Sequence, residues 1–266
     1  MALGRLEEAR DAFEQAEAKN LDSPWLRINR YALAFLQNDA TGMEQQVTWS
    51  LGKPWAEEMF TNLEADTAAH FGHLRKAREL SRQAVDLARR EDLNERAAAF
   101  EGNAALREAL FGNAAEARLQ AKASLHPSTA PGAQYEAALV FALEGDVTAA
   151  GNLADDLVRQ YPENQKVQHQ RFPTIQASLA LDRNNIAKAI EVFQSTQYGA
   201  GDFQEFYVRG EAYLAAHRGG EAAAEFQIIL DRRGVVLNQP IGALAHLQIG
   251  RAYAMQGDAA KAKAAY

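Results

Sequence analysis

Several short runs in this chain carry residue types from which active sites are built, and each lacks a part that its chemistry requires. Gly199-Ala200-Gly201-Asp202-Phe203-Gln204 opens like a dinucleotide phosphate loop, but Gln204 stands at the third glycine position. The run also joins two helical patterns instead of a strand and a helix, so it reads as a linker. Gly52-Lys53-Pro54 is no Walker loop, because a Ser or Thr must follow the lysine to hold Mg²⁺. His70 and His73 are close in sequence but straddle a turn at Gly72, which favours turn capping over metal ligation. Glu57-Glu58 and Asp155-Asp156 read as solvated helix faces, since a general acid–base pair needs enclosure to shift its pKa values. No His-Glu-x-x-His helix and no Gly-x-Ser-x-Gly elbow occurs. The expectation is a non-catalytic chain with no cofactor and no metal.

The elements that must position these side chains are marked by a recurring turn. Gly4-Arg5, Asn38-Asp39, Gly72-His73, Gly112-Asn113, Gly145-Asp146, Asn184-Asn185, His217-Arg218 and Gly257-Asp258 follow one another at spacings of 34, 34, 40, 33, 39, 33 and 40. Gly or Asn tolerates the left-handed conformation that ends one helix, and Asp or Asn caps the next through its side-chain oxygen. A period in the thirties means stacked helix pairs, not one globular core. Ser23-Pro24, Lys53-Pro54, Pro131-Gly132, Asp202 and Asn238-Gln239-Pro240 mark helix starts. The long spacings arise from extended helix ends or loops near residues 88–95, 161–173 and 232–241. The last of these, Arg232-Arg233-Gly234-Val235-Val236-Leu237, is apolar; it is expected to tuck into the neighbouring repeat, with an external contact site as the second reading.

The residues around the turns carry a resemblance. The last unit reads Gly250-x-x-Tyr253-x-x-x-Gly257-Asp258, then Ala262 and Tyr266; the one before has Gly210, Tyr213, Ala222 and Phe226. An earlier one has Ala138, Phe141, Gly145 and Ala150, with Pro162 closing it. Ala9, Ala77, Ala117 and Ala189 hold the small position in other units, and the unit around Asn38 departs most, with Met43 and Val47. This resembles the tetratricopeptide repeat, in which small residues sit where two helices cross and an aromatic fills the space between them. The resemblance covers residues 1–266 and implies an all-α solenoid, a right-handed superhelix of antiparallel helix pairs with about fifteen helices. Six full pairs are expected over residues 21–257, with a partial repeat at each end. Those partial repeats suggest an excised piece of a longer protein, whose exposed ends would fray or associate weakly.

Composition narrows the partners. A net charge of −7 and the absence of a Lys/Arg cluster argue against a nucleic-acid backbone. No apolar stretch approaches the length of a membrane span, and the cysteine count of zero leaves the compartment open. The expected ligand is a protein or peptide.

In tetratricopeptide arrays the first helix of each pair lines the concave face. Carried over by position, the resemblance nominates Trp25; Met59, Asn62, Asp66 and His70; Tyr135; Arg171; Tyr207 and Glu211; and Arg251. These stripes lack the cation set of a terminal-carboxylate clamp and suit an extended or helical peptide instead. Leu87-Ala88-Arg89-Arg90, the run from Tyr207 to Ala215 and the run from Asn238 to Leu247 also look like repeat regions C-terminal to bacterial serine/threonine kinase domains. The kinase motifs themselves are absent. That likeness implies a sensor or docking arm, cytoplasmic or extracytoplasmic. A structural solenoid that drives self-association is the alternative to a scaffold, and an enzyme ranks third.

Overall fold

Polar turn residues and buried alanines set the architecture of the computed structural model, which describes residues 1–125, 130–195 and 203–266. Of the run Gly199–Gln204 read above as a linker, residues 199–202 lie outside the described residues, and Phe203 and Gln204 belong to a helix. Sixteen α-helices and no β-strand occur among the described residues. The first residue of all eight recurring turns has a positive φ, between 55° and 78°. At seven of them the next residue donates its N–H to the carbonyl five positions back, as His73 does to Ala68 and Asp146 to Phe141, both at 2.8 Å. Asp39, Asp146, Asn185 and Asp258 then accept from the backbone N–H three residues on, closing the cap of the next helix.

The contacts divide the chain into two units. Unit 1 holds residues Met1–Leu93 together with Asp231–Gly242. It contains α1 (Leu6–Ala18), the pair α2 (Pro24–Leu36) and α3 (Ala40–Ser50), and the pair α4 (Glu57–His70) and α5 (Leu74–Arg90). Ser23 caps α2 by accepting from the Leu26 N–H, with Pro24 at the first helical position. Lys53-Pro54 does not start α4 as expected. Trp55 adopts φ 69°, its N–H goes to the Glu91 carboxylate, and the helix begins at Glu57. Glu58 is fully buried, so the expected solvated pair is split between a partly exposed Glu57 and a core Glu58.

Unit 2 holds Asn94–Leu230 and Ala243–Tyr266. Its pairs are α6 (Asn94–Leu110) with α7 (Ala114–Ser124), α8 (Pro131–Leu143) with α9 (Val147–Gln160), and α10 (Phe172–Asp182) with α11 (Ile186–Val192). They continue as α12 (Phe203–Ala215) with α13 (Gly219–Asp231). One-turn α14 (Arg233–Val236) belongs to the segment packed in unit 1, and α15 (Pro240–Met255) leads to α16 (Ala259–Ala265). A π-helical stretch, Val167–Arg171, precedes α10 and accounts for one long spacing. Successive first helices α6, α8, α10 and α12 pack side by side. A Cβ at Gly210 would meet the Phe226 ring at 2.5 Å, and one at Gly250 the Tyr266 ring at 2.6 Å. Glycine is needed at both positions because the aromatic fills the space where a side chain would stand. Ala77, Ala117, Ala150, Ala189, Ala222 and Ala262 are buried at the crossings, whereas α1 contains no buried residue and leaves Ala9 partly exposed.

The expectation for residues 232–241 fails in its particulars. The segment does not tuck into the repeat next to it in sequence; it packs on α2 and α4 in unit 1. The reason is chemical: α4 offers a carbonyl, a hydroxyl and an imidazole that the segment's polar atoms satisfy, as described next.

Candidate functional site

The face built by the first helices differs between the units. In unit 2, Leu110 of α6, Leu143 of α8, Ser178, Leu181 and Asp182 of α10, and Tyr207 and Glu211 of α12 line an open depression of about 250 Å³. Helical spacing explains the set: positions 178, 181 and 182, and positions 207 and 211, each share one side of their helix. Tyr207 is 3 % exposed, its ring set edge-on against Phe226 with centroids 5.6 Å apart. Its hydroxyl accepts from the Gln248 side-chain amide at 3.0 Å, and the same amide reaches the Glu211 carboxylate at 3.3 Å. Arg251 donates to the Gln248 side-chain oxygen on its own helix at 3.1 Å, holding the one α15 amide that reaches both Tyr207 and Glu211 of α12.

Burial dominates the electrostatics here. Loss of solvation raises Glu211 from the ordinary 4.5 to about 7, with the Arg251 charge opposing the shift. Burial pushes the Tyr207 phenol upward too, helped by the Glu211 charge, so it stays a neutral hydroxyl across the physiological range. The depression therefore presents apolar leucines, a phenol, a carboxyl poised near neutrality and the exposed Asp182 carboxylate.

Beneath this face, Arg209 of α12 is buried with two carboxylates. Its guanidinium pairs with Glu205 at 3.6 Å and with Glu225 of α13 at 2.9 Å. The Phe193 and Phe206 rings flank it with centroids 5.3 and 5.4 Å away.

Of the residues nominated from sequence, the structure joins Tyr207, Glu211 and Arg251 through Gln248. Tyr135 and Arg171 meet separately, with the guanidinium 5.0 Å from the ring centroid. In unit 1, Met59, Asn62, Asp66 and His70 share α4, Asn62 being buried, and Trp25 sits 69 % exposed at the start of α2. At the turn His73 makes no side-chain cap, and His70 reaches toward the segment at residues 231–242. Its Nδ1 lies 3.3 Å from the Gln239 carbonyl oxygen, and its ring is edge-on to Phe35 at 5.0 Å. Along α4 the Asn238 side-chain amide donates to the Leu63 carbonyl at 2.8 Å and to the Thr67 hydroxyl at 3.0 Å. Thr67 in turn meets the Tyr31 hydroxyl at 2.8 Å. Sequence reasoning missed Asp182, Gln248 and Asn238. Gln248 lies within one helical turn of the nominated Arg251, so a wider stripe would have found it; Asp182 lies about three turns beyond Arg171, past the end of the stripe, and Asn238 looked like an ordinary turn residue before Pro240.

Among the described residues no group of three His, Asp or Glu side chains could hold a metal ion, and no helix is long and apolar enough to cross a membrane. No known family profile matches the chain, and no curated protein matches it. Among solved structures, a tetratricopeptide repeat protein from Parabacteroides merdae is similar at 13 % identity and a TM-score of 0.39, covering 93 % of this chain and 98 % of that one. At that distance the likeness decides nothing; the fold rests on the chain's own turns and helix pairs.

Proposed function

We propose that this chain is a non-catalytic protein-interaction scaffold of the tetratricopeptide type, and that the first-helix face of unit 2 takes an extended segment carrying a basic side chain between apolar ones. The observation that carries this reading is the convergence of four successive first helices on one depression with leucines around Glu211 and Asp182. A lysine or arginine reaching the depression finds two carboxyl groups, while its apolar neighbours meet Leu110, Leu143 and Leu181. Ion pairing stabilises the ionised form of Glu211, so such a ligand binds more tightly as pH rises through about 7.

Blocked peptides of sequence Ala-Leu-Lys-Leu-Ala and Ala-Leu-Glu-Leu-Ala test it by fluorescence competition. The lysine peptide should bind at least about tenfold more tightly, a difference of about 1.4 kcal/mol, and Glu211→Gln should erase most of that preference. Equal binding of the two peptides would remove the reading. A place C-terminal to a bacterial serine/threonine kinase is the finer proposal, supported by the wording of the runs at Tyr207–Ala215 and 238–247. The full-length gene product, with or without a kinase domain before residue 1, decides it.

A further inference from the structure

The segment Asp231–Gly242 lies about 170 residues along the chain from the helix it covers. Gly234 lies against the backbone of Met1 and Ala2, Ile241 is 2 % exposed, and several polar contacts are specific. Arg233 donates to the Leu36 carbonyl at the end of α2 at 2.7 Å. Val236 is the apolar anchor, 2 % exposed. Asn238, 5 % exposed, forks its amide between the Leu63 carbonyl and Thr67, and the Gln239 carbonyl faces His70. Between the two anchors Leu237 adopts φ 54° and ψ −131°, a conformation a bulky side chain rarely takes. That strain opposes the segment's hold on the helix face.

An apolar anchor, a side-chain amide read by a helix carbonyl and a threonine, and a backbone carbonyl facing an imidazole are the means by which a groove reads a short peptide. Here the chain supplies that peptide itself. We infer that the α2–α4 face of unit 1 is a recognition surface for segments of the Val-x-Asn-x-Pro kind, and that Arg233–Pro240 is its resident occupant, which an external segment of the same chemistry must displace. Tethering at both ends gives the resident a high effective concentration, so an external segment binds weakly to the intact protein and strongly once the resident lets go. This inference concerns unit 1 and does not depend on the reading offered for unit 2.

The test uses the full chain and a fluorescent peptide with the sequence of residues 231–242 as probe. Val236→Ala combined with Asn238→Ala should release the resident while α4 keeps its amide-exchange protection, and the probe should then bind at least about tenfold more tightly than to the unaltered chain. Adding Thr67→Val to the released background should cost about tenfold in probe affinity, since it removes the hydroxyl that Asn238 reads while keeping the shape. A probe carrying alanine for its asparagine should fail in the same way. Failure of the probe to bind the released variant overturns the inference. So does loss of exchange protection along α4 on release, which would make the segment a structural part of unit 1 and not an occupant. Binding indifferent to Thr67→Val overturns it as well.

Discussion

Two faces made from the same helical grammar spend their polar groups differently. In unit 1 the polar groups of the first-helix face are spent internally: Tyr31 on Thr67, Thr67 and the Leu63 carbonyl on Asn238, His70 on Gln239. Unit 1 keeps a depression too, about 370 Å³ and lined by Met43, Glu64 and Phe71, but the Tyr31 and Thr67 hydroxyls on its wall are already paired. In unit 2 the depression lies on the first-helix face itself, and the polar network there stops at a carboxyl that burial holds near neutrality. The difference does not come from the repeat pattern, since both faces are first-helix stripes between turns whose first residue has a positive φ in both units. It comes from a few residues outside the pattern. Asn238 supplies an amide to α4, whereas Gln248 supplies one to Tyr207 and Glu211 but leaves the depression between α6 and α12 uncovered. Repeat architecture sets where a face lies; single polar residues set whether it is available.

The support beneath the unit 2 face offers the largest effects. Phe226→Ala removes the ring that fills the space at Gly210 and backs Tyr207, and should destabilise unit 2 by about 3–5 kcal/mol in denaturant unfolding. Arg209→Met leaves Glu205 and Glu225 buried without their cation, a loss of about 3–5 kcal/mol, whereas a triple replacement of the triad by apolar residues should recover much of it. Were either change harmless, the unit 2 face would not depend on the α12–α13 contact.

Glu211 gives the next effect and a sign. Its folded pKa near 7 exceeds the ordinary 4.5, so between those values the folded chain binds a proton that the unfolded chain has released. The contribution of this group to stability is therefore fully present below about pH 4.5 and is lost as pH rises through about 7. Glu211→Gln should flatten that slope and gain on the order of 2 kcal/mol above pH 7 relative to the unaltered protein. Unit 1 should show no counterpart at Thr67. There, Tyr31→Phe removes one hydroxyl from an internal network and should cost about 1 kcal/mol with no dependence on neutral pH. The smallest effect separates α1 from the rest: with no buried residue, its amides should exchange faster than those of α4 or α8.

Most of the architecture was legible because turns are local. A glycine or asparagine that must adopt positive φ, followed by a capping side chain, is visible in the sequence, and Gly210 with Phe226 shows its crossing by size alone. Glu58 and Lys53-Pro54 were misread because tertiary packing buries the one, and the Trp55 turn after the other is held by Glu91, 36 residues on. The destination of residues 231–242 was illegible for the same reason, since nothing near Asn238 announces a partner at Leu63. At the candidate site, Tyr207, Glu211 and Arg251 could be nominated by position, but their junction through Gln248 depends on how two helices lie together.

The most direct test is a carbon-13 NMR titration of the Glu211 side-chain carboxyl, run with and without the lysine peptide. A midpoint near 7 is expected in the free protein, falling toward the ordinary carboxylate range when the peptide is bound, while the Thr67 and Tyr31 signals of unit 1 stay in place. A midpoint near 4.5 in the free protein, or one that the peptide leaves unmoved, would contradict this.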